Sequence, residues 1–329
     1  NLIKLFPKEL NTELLYHDKL KQLKKNNNIY FYEHDKIDKN LLRLTKPFIL
    51  ITYNSEDYPT NYENYIDVLN NPYLFKWYGT FSTIRHNKFE SLNFGQHEYY
   101  TNIEHFDEYI NKILNDNDLI NKLQDFQKKL KIVGGTFNEE LPEQIIAMKY
   151  LNPEDKILEI GGNIGRNSLI IASILNNDTN LTVLESDSNS YKVLDLNKMS
   201  NNMNFNICNA ALSNCNIIQR GWDTYKSDIV YDGFTKVNTI KLNELYNLFN
   251  TEYNVLILDC EGAFYDILID FPEILKNINK ILIENDFKKV EHKQYVDELL
   301  LENNFVSTFT DYHPDNKNIN NFYEVFIKN

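Results

Sequence analysis

Residues 156–160 read as a short apolar strand that runs into Gly161-Gly162-Asn163-Ile164-Gly165 and, without a spacer, into a helix over 167–175. A strand that turns on glycines directly into a helix constrains the fold strongly. The helix must pack back on the strand, and the next strand then lies parallel to the first. The same alternation continues along the chain. A helix is expected over 142–151 before the first strand. Strands are expected over 182–185, 205–212, 255–259 and 281–284, and helices over 188–199, 263–275 and 295–302. Residues 305–309 and 322–327 read as a closing antiparallel pair around a polar loop at 315–321. This pattern predicts an α/β fold with a doubly wound, mostly parallel sheet covered on both faces. Such sheets take ligands beyond the carboxyl ends of their strands. Glu159, Glu185 and Asp259 all fall at expected strand ends.

The loop chemistry narrows the ligand. A dinucleotide turn reads G-x-G-x-x-G and meets a pyrophosphate. Counted from Gly161, that template needs glycine where the chain has Asn163 and Arg166. E-x-G-x-x-x-G fits instead, through Glu159, Gly161 and Gly165. The glycines are expected to let a ligand approach the backbone, and a carboxylate beside them favours a cationic ligand over a pyrophosphate. The second strand, Leu181-Thr182-Val183-Leu184-Glu185, ends in an acid placed to accept hydrogen bonds from ribose hydroxyls. Together these residues point to S-adenosylmethionine, which carries an ammonium, a sulfonium and a ribose.

The 329 residues are long enough for two domains. A break is expected at Val133-Gly134-Gly135-Thr136, giving domains of 1–132 and 133–329. The formal charge of −13 argues against a nucleic-acid partner, because phosphate binding depends on clustered Lys and Arg. The basic runs at 19–25 and 128–131 read as solvated helix faces. Cys208, Cys215 and Cys260 form no C-x-x-C pair, so reduced thiols in a cytoplasmic protein are expected. No apolar run approaches the roughly 18 residues of a membrane span. Residues 219–242 break the alternation and read as a β-rich insertion near the site.

Several motifs in order carry a family resemblance: the loop from Glu159 through Ser168, Asn209-Ala210-Ala211-Leu212, Asp259-Cys260-Glu261-Gly262-Ala263, and Ile283-Glu284. Over residues 142–326 the chain resembles the FkbM family of S-adenosylmethionine-dependent methyltransferases. The resemblance implies the class I methyltransferase fold, a Rossmann-like seven-stranded doubly wound sheet, here with a smaller N-terminal α/β domain. It also implies O-methylation of a sugar, nucleotide-sugar or glycan hydroxyl. By position, Glu159, Gly161, Gly162, Asn163, Gly165, Arg166, Asn167 and Ser168 would hold the methionine part. Glu185 would hold the ribose, Asn209 and Ala210 would flank the adenine, and Asp259 and Glu261 would lie near the methyl. Cys260 and Phe264 depart from the family's aliphatic and acidic residues around D-x-E-G-A.

Transfer to a sugar hydroxyl calls for a base or a metal, because the hydroxyl is hardly ionised at neutral pH. Asp259 and Glu261 are the expected bases, with Glu284 beside them if the fifth strand is adjacent. The same three acids offer oxygen ligands to Mg²⁺. His292, His313 and Asp286 are further bases, and Trp77, Trp222 and Tyr225 are candidates for stacking on a sugar ring. In the N-terminal part, Phe48-Ile49-Leu50-Ile51, Asn54-Ser55-Glu56-Asp57-Tyr58, Asn71-Pro72, Lys76-Trp77-Tyr78, His86-Asn87-Lys88-Phe89 and Gly95 resemble a fragment of an exostosin-like glycosyltransferase domain. The donor-binding second half has no counterpart. Two other functions stay open on the sequence: a bifunctional glycan-modifying enzyme and a silent S-adenosylmethionine-binding scaffold.

Overall fold

The computed structural model describes residues 26, 28–33, 37–53, 66–80, 88–92, 103–311 and 321–329. The basic run at 19–25, Asn54 and Ser55, His86, Asn87, Gly95, His313 and most of the 315–321 loop lie outside them. Two compact units divide the chain, 1–124 and 125–329.

In the first unit, β1 (Ile29–Glu33), β2 (Phe48–Tyr53), α1 (Ile66–Leu69), β3 (Leu74–Thr80) and β4 (Phe89–Leu92) precede the long helix α2 (Ile103–Lys129). The strands form one sheet in the order β1-β2-β3-β4, and every pair is parallel. Alternation along β2 sends Ile49 and Ile51 to one face with Ile110 and Ile113, and Phe48 and Leu50 to the other with Trp77 and Phe89. Trp77 is fully buried and its indole Nε1 donates to Thr52 Oγ1 at 2.8 Å. It is therefore a core residue and not a sugar platform.

The second unit begins with α3 (Leu141–Tyr150), β5 (Ile157–Ile160), α4 (Arg166–Ile174), β6 (Leu181–Leu184), α5 (Ser188–Ser200) and β7 (Asn206–Cys208). Next come β8 (Ala211–Leu212), β9 (Ile217–Arg220), β10 (Asp223–Lys226), β11 (Thr235–Val237), β12 (Thr239–Ile240) and α6 (Leu242–Phe249). The chain then runs through β13 (Val255–Leu258), α7 (Phe264–Asp270), β14 (Lys280–Glu284), α8 (Val290–Glu302), β15 (Phe305–Asp311) and β16 (Tyr323–Lys328). Seven strands make one sheet in the order β15-β16-β14-β13-β5-β6-β7. The strands from β14 to β7 are parallel, and β16 inserts antiparallel between β14 and β15. This is the seven-stranded, doubly wound α/β sheet of the class I methyltransferase fold. The chain leaves the centre of the sheet at β5, builds outward to β7 and returns on the other side at β13. The switch point where ligands bind therefore lies between β5 and β13. All four residues of β5, β6 and β13 are buried, as strands covered on both faces require. The core on one side joins Leu158, Leu256 and Ile281 to Phe264, Ile267 and Leu268 of α7.

Three expected elements differ. The strand expected over 205–212 ends at Cys208, and β8 leaves the sheet to pair with β12. The Asn209 Nδ2 group donates to Glu185 O at 2.8 Å and Ser186 O at 3.2 Å, which pulls the chain out of line. The helix expected over 263–275 stops at Asp270, and residues Pro272–Lys276 form a 3₁₀ turn. Pro272 has no N–H to continue the helical ladder. The last helix starts earlier than expected, at Val290. The β-rich insertion is a three-stranded antiparallel sheet in the order β10-β9-β11.

Candidate functional site

A cavity of about 410 Å³ opens beyond the carboxyl ends of β5, β6, β13 and β14, a size typical of small-molecule sites. Eight carboxylates line it against one arginine and one lysine. The charge balance favours a cationic ligand. The three-stranded insertion supplies another wall, with Trp222 and Tyr225 both on the lining and both exposed.

The loop after β5 is shaped by the protein's own backbone. Gly161 has φ +95°, and a Cβ there would sit 1.5 Å from the carbonyl oxygen of Asp259. The Gly161 and Gly162 amides both donate to Leu184 O, at 3.0 and 3.1 Å. Gly161 is required by the neighbouring β13 exit, and it also lies on the lining of the cavity. Gly162 and Gly165 make similar close approaches, to the Val183 and Leu194 side chains.

Glu185 is buried and links two loops. Its Oε2 accepts from the Asn163 amide at 2.7 Å and its Oε1 from the Asp187 amide at 2.6 Å. Asp187 in turn caps α5 by accepting from Asn189 N and Ser190 N. Burial, outweighing those amide hydrogen bonds, pushes the Glu185 carboxyl up to about 7. The Ser186 amide is a third donor to this carboxylate, which leaves acceptor capacity for one more hydrogen bond, and the side chain lines the cavity.

Several residues expected at the ligand also hold the frame together. Glu159 lies within β5, is 3 % exposed and accepts from Ser168 Oγ at 2.5 Å. It lines a smaller chamber behind the main cavity. Arg166 is held by Glu139, by Glu140 Oε1 at 2.9 Å and by Thr136 O at 3.1 Å. Asn209 uses its amide on the β6 exit and accepts from Ser188 Oγ at 2.8 Å. Its neighbour Ala210 does line the cavity.

Burial pushes the Glu159 carboxyl up to about 8, and Glu140 adds to the rise, while Ser168 opposes it. The folded chain therefore holds this proton more tightly than the unfolded chain, whose carboxyl titrates near 4.5. The stabilisation from this group is full below about pH 4.5 and is lost as pH rises through about 8. Glu159→Gln keeps the shape without the charge, so thermal unfolding across that window is expected to show a flatter pH dependence than wild type. Parallel curves would rule the assignment out.

The acids expected to act together separate into two groups. Asp259, Glu284 and Glu143 each bring a carboxylate oxygen within 4.8 Å of the others. β13 and β14 pair in parallel, which sets Glu284 beside Asp259 as expected. Burial first, and mutual repulsion second, raise Asp259 and Glu284 well above the ordinary carboxylate range, and burial likewise raises Glu143. Glu261 is not in this cluster. It sits in a left-handed turn at φ +53°, lines the cavity and is half-buried. Burial and Asp223 raise its carboxyl, while Lys288 and a hydrogen bond from Asp286 oppose the rise. Of the expected Asp259, Glu261 and Glu284, the structure groups Asp259 and Glu284 with Glu143 and leaves Glu261 on the open lining. His292 is stacked on Tyr265, with ring centroids 3.8 Å apart.

Glu140 and Glu143 are absent from the sequence-based set. The acids Glu139, Glu140 and Glu143 around Pro142 were the available signal. Acids at a helix start are usually explained by the helix dipole alone.

No family model and no curated protein matches the chain. The FkbM and exostosin-like resemblances therefore rest on their motifs alone. Solved structures give distant likenesses. One is the ribosomal protein L11 methylase of Lactobacillus delbrueckii subsp. bulgaricus, at 7% identity and TM-score 0.35, covering 58% of this chain and 80% of that one. Another is an rRNA methylase of Streptococcus thermophilus, at 10% identity and TM-score 0.35, covering 57% and 94%. A third is a methyltransferase of Pyrococcus furiosus, at 12% identity and TM-score 0.34, covering 60% and 88%. Strand order and pairing, not these likenesses, define the fold of this chain. Among the described residues no helix is long and apolar enough to cross a membrane.

Proposed function

We propose that this chain is an S-adenosylmethionine-dependent O-methyltransferase acting on a hydroxyl of a sugar, nucleotide sugar or glycan. The observation that carries this reading is the acid-lined cavity at the switch point of the sheet, with Glu185 at the end of β6. The donor set fits the cofactor. Carboxylates on the lining would meet its ammonium and sulfonium, and Glu185, after serving Asn163, Asp187 and Ser186, would accept from a ribose hydroxyl. When bound, the cofactor supplies an electrophilic methyl group.

The chain's own residues do the rest. Ala210 leaves a small apolar wall beside the third strand end. Exposed Trp222 offers a ring face suited to a sugar, while Lys288 already lies over one face of Tyr225, 4.6 Å from its centroid. Buried Gln219, also on the lining, leaves its Oε1 without a partner and accepts a substrate hydroxyl. Glu261 is the general base, in the open part of the cavity below that wall. The negative cavity and the net charge of −13 weigh against a polyanionic acceptor.

Titration calorimetry with S-adenosylhomocysteine tests the cofactor. Micromolar binding by wild type is expected, weakened at least tenfold, about 1.4 kcal/mol, in Glu185→Gln. A folded wild-type chain that does not bind would end this reading. Sugar and nucleotide-sugar acceptors are then screened by release of S-adenosylhomocysteine.

A further inference from the structure

Behind the main cavity lies a chamber of about 20 Å³, enough for one water or one ion. Three elements converge on it: Glu143 from the first turn of α3, Asp259 just past β13 and Glu284 at the end of β14. Their carboxylate oxygens all lie within 4.8 Å of one another. Neither lysine nor arginine is among the residues that line it.

A second observation does not depend on the acids. Asn167 also lines the chamber and is 8 % exposed, and its side-chain Oδ1 has no hydrogen-bond partner. Its amide is engaged with Glu159, so the carbonyl end is the one left over. One oxygen of Glu143, Oε2, is likewise buried and without a partner. Buried acceptors of this kind are costly unless something positive or a donor meets them. Glu284 and Tyr323 hydrogen-bond the Glu143 carboxyl, so the Asn167 carbonyl and Glu143 Oε2 are the acceptors left for an ion.

The donor atoms select the kind of ion. Ligands on opposite sides of Mg²⁺ stand about 4.0–4.2 Å apart and around Ca²⁺ about 4.6–5.2 Å, from their bond lengths. Oxygens within 4.8 Å of one another can share a single ion of either kind. A set made only of carboxylate and amide oxygens suits Mg²⁺, Mn²⁺ or Ca²⁺ and disfavours Zn²⁺ or Cu²⁺.

We propose that Glu143, Asp259 and Glu284, with the Asn167 carbonyl, bind one hard divalent cation in the chamber behind the main cavity. The ion ties α3 to the ends of β13 and β14, and it holds Asp259 and Glu284 at the floor of the ligand site. Glu143, Asp259 and Glu284 also line the main cavity, so the ion shares its floor with the ligand of the methyl-transfer reading.

Mn²⁺ titration of the full chain, followed by electron paramagnetic resonance and repeated with and without S-adenosylhomocysteine, tests it. One Mn²⁺ per chain is expected, displaced by Ca²⁺ or Mg²⁺, with affinity lowered at least tenfold by Glu143→Gln and by Glu284→Gln. Asn167→Ala, which removes no charge, is expected to lower it several-fold, and Glu261→Gln to leave it unchanged. No saturable binding by folded wild type overturns the proposal, as does binding that none of the first three substitutions alters. Displacement of Mn²⁺ by S-adenosylhomocysteine also overturns it, because the acids would then be the seat of that ligand's ammonium. Failure to bind S-adenosylhomocysteine, with Mn²⁺ still bound, sinks only the methyl-transfer reading.

Discussion

Gly161→Ala is expected to destabilise the second unit by about 4 kcal/mol or more, the range reserved for substitutions with a specific steric cause. Two effects combine at this residue. Its φ of +95° lies in the region that side-chain-bearing residues rarely adopt, and the added Cβ would meet the Asp259 carbonyl oxygen at 1.5 Å and its carbon at 2.6 Å. The atoms in the way are backbone, so no rotamer change relieves them. Moving the loop would also break the paired hydrogen bonds from Gly161 N and Gly162 N to Leu184 O. Gly221→Ala is the internal control. Its φ is +60°, with nothing within 4 Å of the added carbon, so only the conformational cost of about 1–2 kcal/mol applies. Urea unfolding of both variants measures the difference, and equal losses would show that the approach to Asp259 is relieved without cost.

Glu261→Gln is expected to lower turnover by about 10²- to 10⁴-fold, the usual contribution of a positioned base. S-adenosylhomocysteine affinity should stay within a few fold of wild type. The expectation rests on where the turn at Glu261-Gly262 holds the side chain. A left-handed residue after β13 swings the carboxylate away from the Asp259–Glu284–Glu143 cluster and onto the lining of the open cavity. A hydrogen bond with Asp286 holds it there, and the charge of Lys288, itself paired with Asp223, favours its ionised form. Glutamine keeps the shape and removes the proton acceptor, so single-turnover rates with the screened acceptor separate chemistry from binding. Full activity in this variant would move the base elsewhere on the lining.

The two substitutions probe different parts of what could be read ahead of the fold. Strands β5, β6 and β13 were legible because parallel strands covered on both faces are short, nearly unbroken apolar runs. Glu185, Asp259 and Glu284 were legible because the acids close those runs at the edge where such sheets bind ligands. Local sequence also marked the insertion, since residues 219–242 lack the helical spacing that surrounds them. The hydrogen-bond partners of the glycine loop were not legible. Asn163, Arg166, Asn167 and Ser168 lie next to one another in sequence, but their partners are Glu185, Glu139 and Glu140, and Glu159, on separate elements.

What the sequence by itself determined is the order of strands and helices, the doubly wound sheet and the edge where the acids collect. Each follows from hydrophobic period and from turn residues, which act over a few positions. Only the tertiary structure decided that Glu143 joins Asp259 and Glu284, that Glu261 stands apart from them, and that Gly161 answers to the Asp259 carbonyl. These depend on distances between elements far apart in the chain. A carboxylate's role is set by which other charges share its low-dielectric surroundings, and no local pattern records that.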